Sequence, residues 1–134
     1  MRPTWMGSVV LLGLFACGCG GSKPALAPVR GHVYFRGQPL NGGAIVFTPD
    51  PERGGRGPLA CARIGEDGGY VLATGPDLGA VPGWHRVTFK TLSAAADAPS
   101  PENRLPARFS DPETSGQPGE VKAGQGNVID FHLE

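Results

Sequence analysis

Three cysteines, three histidines and a handful of loop carboxylates are the side chains of this 134-residue chain best suited to chemistry. Cys17 and Cys19 stand two apart, a spacing that can ligate a metal, but one pair is half a zinc site and only Cys61 remains to complete it. His32, His85 and His132 fall on three predicted strands. Strand alternation puts His32 and His132 on solvent faces and His85 beside Val87 and Phe89, so the three do not converge on one ion. No His-x-x-Glu pair occurs, and none of the six serines sits in a Gly-x-Ser-x-Gly elbow. Asp50, Glu52, Glu66, Asp67, Asp111 and Glu113 all lie in predicted loops. Glu66-Asp67 falls short of a six-oxygen calcium cage, and turn chemistry accounts for Asp67 without an ion. Arg53-Gly54-Gly55-Arg56-Gly57 lacks the Lys-Ser/Thr end and the helix of a phosphate loop. The expectation is a protein without catalytic residues, metal or cofactor. A small metal-dependent hydrolase is the remote alternative.

The two early cysteines suit a different chemistry. Met1-Arg2 is followed by the apolar run Val9-Val10-Leu11-Leu12-Gly13-Leu14-Phe15-Ala16, and no charge intervenes before Lys23. A charged start, a short apolar core and then small residues form a secretory signal. The core is shorter than the roughly 20 residues needed to span a bilayer. With Cys17 after Leu14-Phe15-Ala16, the segment resembles a bacterial lipoprotein signal, whose Leu-x-Ala/Gly-Cys lipobox is cut before the cysteine that then carries the lipids. Cys19, read from Ala16-Cys17-Gly18-Cys19, is the alternative acceptor. The expected organisation is a signal peptide over 1–16, a lipidated cysteine and tether over 17–28, and one domain over 29–134.

Twelve basic and twelve acidic side chains cancel, which gives no attraction to nucleic acid. Cys61 is then left without a disulfide partner and is expected to be buried as a small hydrophobe. The 22 Gly and 14 Pro would suggest disorder if they were dispersed. They cluster instead between β-branched runs, as turns do in an all-β domain.

Those runs read as strands. Val29, Gly31, Val33 and Phe35 share one face of the first, and within it Gly31 marks either a close approach to a neighbour or a bulge. Residues 44–48, 59–64 and 70–74 follow, and Asp67-Gly68 supplies the strongest hairpin signal. Residues 84–90 alternate after Pro82-Gly83, Arg108-Phe109-Ser110 is a short edge segment, and 119–123 and 127–133 close the chain. The expected core is Val33, Phe35, Ile45, Phe47, Val71, Val87, Phe89, Ile129, Phe131 and Leu133. Loops 50–58 and 93–106 hold almost no large apolar group and are expected to be open to protease, with first tryptic cuts after Arg53, Arg56 or Arg104.

With these blocks in place, the chain resembles a known family. Val29-x-Gly31-x-Val33-x-Phe35-x-Gly37-x-Pro39-Leu40-x-Gly42-Gly43-Ala44-Ile45-Val46-Phe47-x-Pro49 is similar to the opening of carboxypeptidase regulatory-like domains. Asp67-Gly68-Gly69-Tyr70-x-Leu72 and Val81-Pro82-Gly83-Trp84-His85-Arg86-Val87 resemble its later blocks, with Trp84 in place of the usual Tyr. Residues 105–116 are similar to the tail found in small bacterial lipoproteins. The resemblance implies an all-β, single seven-stranded Greek-key sandwich of the transthyretin (prealbumin) type, a module that contributes no catalytic group in carboxypeptidases. It also implies a non-enzymatic envelope protein, held by lipid (palmitate) at the cell membrane and facing the periplasm or the cell exterior. The implied partners are the membrane and an envelope protein or glycan. A carbohydrate- or peptide-binding adhesin module is the alternative, with Tyr34 and Trp84 as ligand contacts because both alternate opposite to the core residues.

Overall fold

Strand alternation organises the domain. In the computed structural model, which describes residues 25–90 and 105–134, Val29, Gly31, Val33 and Phe35 are buried along β1 (Val29–Phe35) while Arg30 and His32 face solvent. The chain continues through β2 (Gln38–Pro39), β3 (Ala44–Pro49), β4 (Ala60–Arg63), β5 (Gly69–Val71), β6 (Ala73–Thr74), β7 (Asp77–Leu78), β8 (Gly83–Lys90), β9 (Pro118–Val121), β10 (Asn127–Val128) and β11 (Phe131–Leu133). Two 3-10 turns, Pro51–Arg53 and Ala107–Ser110, complete the described elements.

The strands form two sheets, making the protein an all-β sandwich. In one, β1 is central. It runs antiparallel to β2 and β5 on one side and parallel to β10 and β11 on the other. The second sheet is antiparallel throughout, in the order β7-β6-β4-β3-β8-β9. Its backbone is the long β3–β8 pairing, from Ala44↔Lys90 to Pro49↔His85. Inward side chains of both sheets merge into one core. Phe47 meets Tyr70, His85 and Phe131 at centroid distances of 6.4, 5.6 and 5.9 Å, and Phe131 meets Phe89 edge-on at 5.3 Å.

Several expectations need correction. Val71 is 58% exposed, because Tyr70 and Leu72 take the inward face of that segment and a strand can bury only one parity. Ile129 is only partly buried at the edge of the core. Cys61 is exposed, since Ala60 and Ala62 turn inward on β4. Arg108-Phe109-Ser110 is a 3-10 turn rather than an edge strand, and Phe109 plugs the core against Phe89. The Asp67-Gly68 turn forms, with Gly69 N–H donating to Asp67 Oδ1 at 2.9 Å. Its flanking segments, however, serve different sheets: Gly69–Val71 pairs with β1, and the return reaches β4 only at Cys61↔Ala73. The Leu105–Pro106 end of the second predicted loop is described, and residues 93–104 lie outside the described residues.

Candidate functional site

Pro49 ends β3, and Asp50 begins a capped turn. Its Oδ1 accepts from Glu52 N–H at 3.1 Å, Pro51 supplies the fixed backbone angle of a first turn, and Gly54 closes it at φ 76. The Asp50 carbonyl accepts from Arg53 and Gly55 N–H, while Asp50 N–H donates to the Trp84 carbonyl at 2.9 Å, tying the loop to β8. Gly55 permits this, because a Cβ there would lie 2.5 Å from Asp50 N and 2.8 Å from Trp84 O. Polar caps therefore fix the first half of loop 50–58, which apolar burial cannot do.

The cap also collects charge. The Asp50 carboxylate is 7% exposed and meets Arg86 Nε at 3.2 Å and Arg53 Nε at 3.8 Å. Arg86 also reaches Glu52 Oε2 at 3.2 Å, and the Arg53 guanidinium lies 4.7 Å from the Trp84 ring centroid. With Arg53 held on both sides and Arg56 exposed beyond the cap, limited trypsin digestion is expected to cut after Arg56 before Arg53. First cuts after Arg63 or Arg86, both within strands, would contradict this division into scaffold and loop.

Beside this network opens a polar cleft of about 580 Å³, walled by Asp50, Arg86 and residues 112–118. His85 and Ser115 also line it. Among the described residues, His85 Nδ1 and Ser115 Oγ are the two buried side-chain polar atoms with no hydrogen-bond partner. His85 is 1% exposed, and its Nε2 lies 2.8 Å from the Val81 carbonyl. A carbonyl only accepts, so Nε2 carries the proton and Nδ1 presents a bare lone pair. Burial pushes the His85 pKa below the usual imidazole range, opposed in part by the backbone carbonyls of Val81 and Phe47. The ring is thus a neutral acceptor. Ser115 adds a hydroxyl able to donate or accept. The two are not hydrogen-bonded to each other, so no nucleophile–base pair is assembled.

The same burial predicts a pH dependence. An unfolded imidazole titrates near about 6.5, while the folded one does so lower. Between the two values the unfolded chain takes up a proton that the folded chain refuses. His85's contribution to stability is therefore complete above about pH 6.5 and declines as the pH falls below it. At the alkaline end, burial first and the charge of Asp130 second push the Tyr70 hydroxyl far above its ordinary value, so stability declines above about pH 10. Urea midpoints against pH check both limbs. A His85→Phe variant with an unchanged acid limb would assign that limb to the carboxylates.

The residues expected to contact ligand do not come together. Tyr34 is on β1 and Trp84 on β8, in different sheets, each opposite in parity to the core residues. Tyr34 stacks on His132 at 5.0 Å and 9°, with His32 at 6.3 Å, so one of its faces is already covered. Arg53 covers a face of Trp84. His32 and His132 are exposed and His85 is buried. No group of three His, Cys, Asp or Glu side chains that could hold a metal ion occurs among the described residues. Cys17 and Cys19 lie outside them. Among the described residues no helix is long and apolar enough to cross a membrane.

Sequence reasoning missed the roles of Asp50, Arg86 and Ser115. For Asp50 the signal was legible: Asp-Pro-x-x-Gly is a cap, a first-turn proline and a left-handed stop. Ser115 carries no local signal, because its surroundings come from β8 and the 50–55 turn. Comparison with family models, with curated proteins and with solved structures finds no match.

Proposed function

We propose that this is a non-enzymatic, lipid-anchored β-sandwich of the cell envelope, of the carboxypeptidase regulatory-like kind, that binds a small polar ligand. The anchor rests on the signal-like segment before Cys17. The family and its seven-stranded Greek key rest on the ordered sequence blocks, and the two-sheet sandwich supports both. One observation carries the binding role: two buried polar atoms without partners face the same cleft. Buried polar groups are ordinarily satisfied, and an orphaned pair in a polar cavity is a place prepared for an outside hydroxyl or amide.

Two experiments test the reading. Cells fed radioactive fatty acid should label the protein, and the label should vanish in the Cys17→Ala, Cys19→Ala double variant. Absence of label, or its survival in that variant, rejects the anchor. Glycan and peptide arrays test the binding role and its carbohydrate- or peptide-binding adhesin form together. Signal is expected to fall at least tenfold in Ser115→Val and to persist in Tyr34→Ala. Flat arrays would leave a structural spacer as the better description. Stoichiometric zinc in the purified protein would favour the hydrolase instead.

A further inference from the structure

A second cavity lies away from the polar cleft and differs from it in chemistry. It is an apolar groove of about 300 Å³ lined by Pro28, Val71, Leu78 and Val128, with Arg30 also on its wall. Val71, Leu78 and Val128 are 58, 74 and 64% exposed, and they are three of the four exposed large hydrophobics among the described residues. Scattered single hydrophobics on a surface are ordinary. Three converging from β5, β7 and β10, across the edges of both sheets, form a patch that favours contact with an apolar partner.

The chain path says which partner. Ala27 is pinned to Ala80 by reciprocal backbone hydrogen bonds of 2.9 and 3.0 Å. The Pro28 carbonyl accepts from Asn127 N–H at 2.8 Å and from Asn127 Nδ2 at 3.2 Å. The chain therefore enters the sandwich at a fixed point on the groove's own wall. From Cys17 to Ala27 is ten residues, at most about 35 Å when fully extended and roughly 15–20 Å as a flexible coil. A lipid on Cys17 holds this face of the domain toward the bilayer. The groove offers aliphatic side chains and a guanidinium, which match acyl chains and an anionic headgroup.

We infer that the Val71–Leu78–Val128 groove rests on the membrane surface and fixes the orientation of the sandwich, presenting its remaining faces outward. This rests on the anchor reading. The test uses the full-length, lipid-modified protein, methyl-labelled, in vesicles of phosphatidylethanolamine and phosphatidylglycerol that carry a gadolinium headgroup lipid. Methyl signals of Val71, Leu78 and Val128 should lose more than half their intensity, while those of Leu59, exposed outside the groove, should be largely retained. In a Leu78→Asp, Val128→Asp variant the protein should still float with vesicles, and the Val71 loss should shrink at least twofold. Flotation with equal broadening of Val71 and Leu59 overturns the inference and leaves the anchor standing. Failure to float rejects the anchor and the inference with it. Groove signals that respond to protein concentration but not to gadolinium would assign the groove to a second copy of the chain and overturn the membrane assignment.

Discussion

Truncating Phe89 to Ala is expected to destabilise the domain by about 3–5 kcal/mol, the range for removing a buried aromatic and leaving its cavity. Phe89 is 1% exposed in the middle of β8, paired with Ile45 on β3. It joins the two sheets edge-on through Phe131 and holds the 3-10 turn through Phe109 at 6.4 Å. Neither partner can move into the vacancy cheaply, because Phe131 is fixed by its pairing with Val33 and Phe109 by its own turn. Val71→Ala is the matched control. It is exposed and is expected to cost within about 0.5 kcal/mol. Urea denaturation of both variants reads the contrast. A Phe89→Ala loss below about 1 kcal/mol would mean that the inward face of β8 is misassigned.

That contrast also marks what the sequence revealed. Where alternation ran unbroken for six or more residues, as in β1 and β8, the buried face could be read directly, including His85 beside Val87 and Phe89. It failed at 70–74, where both parities carry apolar side chains. There the decision went to Tyr70, whose hydroxyl finds an acceptor in Ile129 O, and Val71 was left outside. The Asp67-Gly68 turn was legible, but the split of its flanking segments between two sheets was not, because pairing partners are set by long-range packing. The cleft was the least visible part. Its cap lies in a Gly- and Pro-rich stretch that reads as open loop by composition, and it is ordered by a carboxylate satisfied by backbone N–H groups and Arg86. Its two orphaned atoms are 30 residues apart and meet only through the β8–β9 pairing, in which His85 faces Gly119.

Gly31→Ala tests the least ordinary feature of the topology, the parallel seating of the C-terminal strands on β1. A Cβ at Gly31 would stand 1.9 Å from Ile129 O, 2.6 Å from Ile129 C and 3.0 Å from the Tyr70 hydroxyl. The obstacle is backbone, and it is held on every side. Ile129 N–H donates to Arg30 O at 2.8 Å, Asn127 and Val128 pair with Val29 and Arg30 before it, and Phe131 pairs with Val33 after it. The Tyr70 hydroxyl, donating to Ile129 O at 2.5 Å, closes the remaining side. Added core volume usually costs about 1–3 kcal/mol when side chains can adjust. Here a strand must shift instead, so a cost of at least about 3 kcal/mol is expected. Tyr70→Phe, which leaves Ile129 O without its donor, should cost about 1–3 kcal/mol. Because Gly31 and Tyr70 press on the same carbonyl, the double variant should lose less than the sum of the two, by about 0.5 kcal/mol or more. Urea denaturation of all three variants completes the cycle. A Gly31→Ala cost under about 1 kcal/mol would show that residues 127–133 do not lie against β1 in this register.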